Sequence, residues 1–351
     1  MQRQRDEMAS NRVTSHDVAR RAGVSRATVS LVLNRSESVT LSKETRERVL
    51  QAAADLGYKP NSAGRMLVSG LTETIGLLVS DPSILLVDQY IPQLLYGIEK
   101  ANREMGFHVL VEGLEAGGKP GAYDNLVESR RIDGLIVVNP RAGDQPLAAL
   151  IDKGFPLVLV GSVRHPDEVS VTFTTRRVIA EAVDHIVGLG HRRIGAITFS
   201  PRDFVSTNAR LTALSAGLQR HGLSLDDDAV GDGNFSPESG YLAAHALLTR
   251  RPDLTAVFAG NDTIAIGVLN AAHELGRRVP DDLSIVGFDD LPFARWLTPP
   301  LTTIRTDGVR QGMIAAEMLF SRLKGKPLET ARVRMEPELV VRVSTGKAAE
   351  Q

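Results

Sequence analysis

Residues 25–31, SRATVSL, set Arg26, Ala27, Thr28, Ser30 and Leu31 on one surface near the start of a short helix. An arginine there can donate to phosphate oxygens or to a guanine edge. Threonine and serine hydroxyls can reach either, and a small or aliphatic side chain can touch a thymine methyl. A helical hairpin with no ligand has no use for such an outer face, so the segment points to a DNA duplex. A second set of groups is spread along the rest of the chain: Asp81 after TIGLLVS, Thr174 after EVSVTF, Arg210 early in a helix after AITFS, Phe235 in the loop GDGNFSPESG, Asn261 and Asp262 after TAVFAG, and Asp289 and Asp290 after LSIVGF. Carboxylates, an amide and an arginine around an aromatic face suit a polyhydroxylated small molecule. Paired polar groups take vicinal hydroxyls, and a ring packs the apolar face of a sugar. Taken singly, Asn261 and Asp262 read as caps of a helix from 263 rather than as ligand contacts, and Asp289–Asp290 as a turn cap.

The elements that must carry the first set are short. Thr14 can cap a helix, with Asp17 three residues on to reciprocate, and Val18, Ala19 and Ala22 share one face. Gly23 ends it in a left-handed conformation, Ser25 caps the next helix, and Val29, Val32 and Leu33 form that helix's buried stripe, with Ala22 and Val24 completing the core. Helix, glycine turn, helix is the arrangement whose second helix enters the major groove by its N-terminal end. Ser42 caps a third helix that runs to Gly57, with Val49, Leu50, Ala53 and Leu56 as its expected buried stripe. In the linker YKPNSAGRMLVSG, Pro60 breaks the preceding element and Asn61 can cap a helix over about residues 62–69. That is well short of the ~12–15 residues at which an isolated helix becomes marginal, and Gly64 weakens it by about 1 kcal/mol more.

From Thr74 onward the pattern changes. Apolar runs at TIGLLVS, FHVLVEG, GLIVVN, PLVLVG, RIGAITF, TAVFAG and LSIVGF alternate with helix-length amphipathic segments such as 92–105, 176–189, 206–221, 237–250 and 262–275. Continuous Val/Ile/Leu runs between helices read as buried parallel strands in an α/β fold with helices on both faces. Roughly 280 residues is comfortable for two such sheets, whose sites lie at the carboxyl ends of strands.

The totals narrow the function. The 351 residues contain no cysteine, which removes disulfides, thiolate metal sites and cysteine nucleophiles. The net charge of −1 hides an asymmetry: residues 1–70 hold 12 Lys and Arg against 7 Asp and Glu, or +5, leaving 29 against 35, or −6, for the remainder. A basic head on an acidic body fits a polyanion partner for the head alone. No apolar run approaches ~20 residues, so no membrane span is expected. Residues 1–12 lack the apolar stretch of a signal peptide and read as a disordered tail. No G-x-G-x-x-G, G-x-x-x-x-G-K-[ST] or H-E-x-x-H occurs, so a doubly wound enzyme is a poor fit and neither a cofactor nor a metal is expected.

DVARRAGVSRATVSLVLN, then ETRERVLQAAADLGYKPN, then GRMLVSG, resembles the DNA-binding head of the lactose-repressor (LacI/GalR) family of bacterial regulators, and the resemblance runs from Val13 to about residue 343. It implies a helix-turn-helix domain over 13–60, a hinge helix over 61–70, and a core over 71–343 made of two periplasmic-binding-protein-like subdomains that the chain crosses three times, with a polar tail at 344–351. It implies DNA contacts from Thr14, Ser15, Ser25, Arg26, Ala27, Thr28, Ser30, Leu31, Asn34 and Asn61, with Leu67 as a wedge in the minor groove. It also implies effector contacts from Asp81, Thr174, Arg210, Phe235, Asn261 and Asp289; together these matches favour binding over capping. His191 reads as structural.

The expected protein is therefore a repressor. It acts as a homodimer on a pseudo-palindromic double-stranded operator, in the cytoplasm at the bacterial nucleoid, under a small effector of carbohydrate type. A sugar-binding transport component is the alternative. The polar tail STGKAAEQ lacks the leucine heptads of a tetramer. Departures stand out at Leu31, where an arginine is common, in the longer loop NRSESVTLSKET, at Thr174–Thr175 in place of Asp-Asn, and in DPSILLVDQYIPQ, which replaces an Asn-Pro-Phe-Phe pattern.

Overall fold

The computed structural model describes residues 13–33, 41–58, 66, 70–114 and 122–348. The chain divides into two units, 1–72 and 73–351. The tail at 1–12, Asn34, Asn61 and Leu67, and most of the expected hinge helix, lie outside the described residues.

In the first unit, helix α1 (Ser15–Ala22) begins at Thr14, whose N–H and hydroxyl both donate to the Asp17 carboxylate, at 3.0 and 2.7 Å. Gly23 ends it at φ +68°, a conformation that would strain any other residue. Helix α2 (Arg26–Leu33) starts where the Ser25 hydroxyl accepts the Thr28 N–H at 3.1 Å, and helix α3 (Lys43–Asp55) where Ser42 does the same for Thr45 at 3.2 Å. Val18, Ala19, Ala22, Val29, Val32, Val49, Ala52 and Ala53 form one small core. Leu50, expected inside, is 49% exposed; α3 turns Val49, Ala52 and Ala53 inward, and the residue next to Val49 cannot share that narrow face.

The second unit is two lobes, each built on a six-stranded sheet. The chain runs β1 (Thr74–Val79), α4 (Ile84–Val87), α5 (Tyr90–Met105), β2 (His108–Gly113), α6 (Ala122–Glu128), β3 (Gly134–Val138), α7 (Gln145–Asp152), β4 (Leu157–Val160) and β5 (Ser170–Phe173) in the first lobe. It continues through α8 (Thr175–Gly188), β6 (Ile194–Ile197), α9 (Val205–Gln219), β7 (Val230–Gly231), α10 (Pro237–Arg250), β8 (Ala256–Ala259), α11 (Asp262–Glu274), β9 (Ser284–Asp289) and β10 (Thr302–Arg305) in the second. Helix α12 (Gly308–Leu323) and β11 (Arg332–Met335) return to the first lobe, and β12 (Glu338–Val340) closes the second.

The sheet orders are β11-β5-β4-β3-β1-β2, all parallel, and β12-β10-β9-β8-β6-β7, parallel except for the β10–β12 pair. Strands β3, β4, β6, β8 and β9 are buried along their whole length, which is why they read as unbroken apolar runs. The edge strands β11 (RVRM) and β12 (ELV) carry no such run and escape that pattern.

Three crossings join the lobes, as the resemblance implies. They are Thr174 between β5 and α8, Thr306–Asp307 between β10 and α12, and Glu336–Pro337 between β11 and β12. The first and third are tied by the Thr174 N–H donating to the Met335 carbonyl at 2.9 Å. Helices α5 and α12 pack backbone to backbone. A Cβ on Gly97 would stand 2.0 Å from the Val309 carbonyl oxygen, and one on Gly312 would stand 2.2 Å from that of Leu94.

Candidate functional site

On the head, Arg26 and Ala27 are exposed and Thr28, Ser30 and Leu31 are half-buried on the outer side of α2, opposite buried Val29 and Val32. The cations of α1 are already paired, Arg20 with Asp17 at 3.1 Å and Arg21 with Asp55 at 3.6 Å. Arg26 has no ion pair or hydrogen bond among the described residues. Thr28 shares its hydroxyl with Ser25 at 2.9 Å, so both hydroxyls are held at the helix start. Thr14 is exposed and Ser15 half-buried, both at the entrance to α1. The result is a small outward face of one free guanidinium, fixed hydroxyls and two apolar contacts.

In the second unit a cavity of ≈ 200 Å³ lies between the lobes, at the carboxyl ends of strands from both sheets. Val138 ends β3 and Asn139 follows it, Gly161 and Ser162 follow β4, and Thr172 and Phe173 end β5; from the second sheet come Phe199 after β6, Asn261 after β8 and Asp289 at the end of β9. Phe235 enters from the loop before α10, and Arg210 from the second turn of α9. Three non-glycine residues in this wall, Asn139, Phe235 and Asp289, have positive φ of 48°, 62° and 107°. Such backbones persist where the surroundings fix them. Here the Phe235 N–H donates to the Phe199 carbonyl at 2.7 Å, and the Asp289 carbonyl accepts the Thr306 N–H at 3.3 Å.

Arg210 is the hub. Its guanidinium carbon lies 3.6 Å from the Phe288 ring centroid and 4.3 Å from that of Phe199, a cation–π sandwich. It donates to the Gly260 carbonyl and stands 3.8 Å from the Asp289 carboxylate. Gly260 must be glycine for this approach, since a Cβ would meet the Phe199 backbone nitrogen at 2.3 Å. Burial pushes Asp289 above the ordinary carboxylate range, and the guanidinium beside it pulls it back. Phe235 stacks edge-on to Phe199 and Phe204, with centroids 6.0 and 5.5 Å away.

Arg210, Phe235, Asn261 and Asp289 thus converge on the cavity, while Asp81 and Thr174 are not among its lining residues. Asp81 spends one carboxylate oxygen on the Ser83 N–H and hydroxyl, at 2.9 and 2.6 Å, which starts the short helix α4. Thr174 is the lobe-crossing residue, and its neighbours Phe173 and Thr175 line the cavity instead. Asp262 and Asp290 prove structural. Asp262 is fully buried and accepts the Thr303 hydroxyl and the Leu291 N–H at 2.6 and 2.7 Å. Asp290 pairs with Arg305 and Arg342, at 2.7 and 2.5 Å. Asn261 does both jobs, since its side chain caps α11 by accepting the Ile264 N–H at 2.8 Å and it also lines the cavity. His191 is a buried pin, bonded to Thr255, Ser284 and the Gly346 carbonyl.

Strand-end reasoning missed Asp88, Tyr90, Asn139, Ser206 and Gln311. Tyr90 at the start of α5 donates its hydroxyl to Gln311 of α12, whose amide donates to the Val171 carbonyl at 3.0 Å, closing one end of the cavity. Asn139 accepts from the Ser206 hydroxyl across the lobes, beside the Arg141–Asp203 ion pair. Asp88 is 8% exposed, and burial together with the charge of Asp289 pushes its carboxyl up to about 7. The only signal for it in the sequence was the unusual segment DPSILLVDQYIPQ.

Two family descriptions match the chain: "Bacterial regulatory proteins, lacI family" over residues 14–61 and "Periplasmic binding protein-like domain" over 183–345. The HTH-type transcriptional repressor PurR of Pectobacterium carotovorum subsp. carotovorum is 34% identical over 343 residues, 95% of this chain and 97% of that one. A transcriptional regulator CelR–cellobiose complex superposes with a TM-score of 0.73 at 32% identity, over 95% of this chain and 100% of that one. The Lac repressor dimer bound to operator and the anti-inducer ONPF does so with a TM-score of 0.83 at 30% identity, over 95% of this chain and 99% of that one. A basic helix-turn-helix head and a two-lobed body are thus matched together, over 95% of the chain, in these regulators. Among the described residues no helix is long and apolar enough to cross a membrane. The chain belongs to the LacI family of bacterial regulatory proteins and is a DNA-binding transcriptional regulator.

Proposed function

We propose that the chain is a repressor that holds a pseudo-palindromic operator as a homodimer and changes its grip when a polyhydroxylated small molecule, a sugar or sugar derivative, enters the cavity between the lobes. The observation that carries the second half is the convergence of Arg210, Asn261 and Asp289 with Phe235, from four separate elements, on one cavity of ≈ 200 Å³. Charged and amide groups beside aromatic rings take hydroxyls and the apolar face of a sugar ring together. The relative CelR bound to cellobiose supports this class of ligand, and the Lac repressor dimer on its operator supports the symmetric assembly. In the head, Arg26 reads a base edge, the hydroxyls of Thr28 and Ser30 hold phosphate or bases, and Leu31 touches a thymine methyl. Leu67 wedges the minor groove from a hinge whose helix forms only on DNA. Differential binding of ~1–3 kcal/mol is enough for ligand to set whether it forms. No cofactor takes part, and the protein works in the cytoplasm, on the nucleoid.

The test pairs selection of bound duplexes from random DNA with a thermal-shift screen of a carbohydrate panel. A selected pseudo-palindrome and a sugar that changes its affinity are expected. A monomer with no sequence preference, with or without sugars, would remove the whole proposal.

A further inference from the structure

Among the described residues three charged side chains line the cavity: Asp88, Arg210 and Asp289. The single cation is already engaged, with Asp289 at 3.8 Å, the Gly260 carbonyl and two aromatic faces. Asp88 is different. It is 8% exposed, and its one hydrogen bond among the described residues is from the Tyr90 N–H to Oδ1, at 2.9 Å. Oδ2 has no partner there, and the residue lines the cavity. The titratable groups around it are the Tyr90 phenol, which is tied to Gln311, the Asp289 carboxylate from β9 with Asp262 behind it, and Arg210 of α9. Among the described residues the wall therefore carries one carboxylate more than it has cations, and the surplus falls on Asp88, which has no ion pair there.

We propose that the ligand is an amino sugar, whose ammonium pairs with Asp88 while its hydroxyls meet Arg210, Asn261 and Asp289. The inference rests on the cavity being the effector site. A buried carboxylate without a counter-ion is costly, and a positive group at Oδ2 removes that cost. A neutral sugar offers Asp88 only dipoles, and a phosphorylated or carboxylated sugar adds a third negative charge to a wall that holds one cation.

The experiment is calorimetric titration of the full-length protein with matched pairs: glucosamine, galactosamine and mannosamine against their parent hexoses, and chitosan disaccharide against cellobiose. At least one amine probe should bind about tenfold or more tightly than its neutral parent. Asp88→Asn should abolish that preference, with cooperative thermal unfolding as the check that it folds. A second readout needs no variant. Asp88 must lose its proton to pair, so amine-probe affinity should rise from about pH 5 to about pH 6.5, below the range in which a hexosamine ammonium itself loses its proton. A neutral parent that binds as tightly as its amine, an affinity that falls over that pH range, or no binding by any amine probe would overturn the proposal. In the first of these cases the cavity would remain an effector site; if no sugar of either kind bound or altered operator affinity, that reading would fall as well.

Discussion

The outer face of α2 and the cavity between the lobes both present polar groups, and they are built in opposite ways. On the head the bonds are local: Ser25 with Thr28, Thr14 with Asp17 and Ser42 with Thr45, each three residues apart and each exposed. Around the cavity the bonds are remote. Arg210 donates to Gly260, Ser206 to Asn139, and Tyr90 to Gln311, a residue 221 positions away. Hydrated groups on a small helical unit cost little to leave unpaired, so the head can wait for its partner with Arg26 free. Groups in a dry wall are expensive to strand, and nearly every one is already held. One surface should therefore answer chiefly to ionic strength, the other to the loss of single partners.

The largest expected effect sets the two apart directly. With 6–10 phosphates contacted, operator affinity should fall by about 10³-fold or more between roughly 50 and 200 mM salt. Ligand affinity over the same range should change by less than about twofold, because the charges that line the cavity are buried. Fluorescence anisotropy and calorimetry would measure the two, and a flat operator response would deny the head its assigned role. Next, Arg210→Ala strands the Asp289 carboxylate and empties the space between Phe199 and Phe288. Ligand affinity should drop by about 30- to 5000-fold, on the order of 2–5 kcal/mol. A variant that titrates like the wild type would take Arg210 out of the site.

Arg26→Ala should cost about 5- to 150-fold in operator affinity and relax the preference at one base pair. Gel shifts on single-base operator variants would show it, and a uniform loss across sequences would recast Arg26 as a phosphate contact. The smallest effect is on stability. The Asp88 carboxyl is raised in the fold from 3.8 to about 7, so ionising it opposes folding. That penalty is absent below pH ~4, grows as pH rises through the interval, and is complete above about 7. Asp88→Asn should thus raise Tm by a few degrees at about pH 8 and by little at about pH 4. An advantage that shrinks as pH rises would contradict it.

Local bonding also explains which parts could be read from the chain. The caps at Thr14, Ser25 and Ser42 and the stop at Gly23 depend on neighbours within four residues, and their positions follow from residue types. Leu50 went the other way because two adjacent apolar residues compete for one narrow helix face. In the body, buried strands announce themselves as apolar runs, and the rule that sites lie at strand ends leads to Arg210, Phe235, Asn261 and Asp289. It leads equally to Asp81, Asp262 and Asp290, whose carboxylates are consumed by Ser83, by Thr303 with Leu291, and by Arg305 with Arg342. Ser83 stands two residues from Asp81, but the partners that consume Asp262 and Asp290 are far off in the chain. Gln311 was out of reach altogether, since α12 brings it back to the first lobe after the chain has passed through the second.

The seam at Gly97 and Gly312 leaves no room for so much as a methyl group between α5 and α12. Those helices move as one girder, with Tyr90 and Gln311 at its cavity end. Tilting of one lobe on the other is then confined to the one- and two-residue links at Thr174, Thr306–Asp307 and Glu336–Pro337. A replacement in the wall acts on the ligand and on the partner it strands, whereas a single residue inserted in any of those links would jam the pivot.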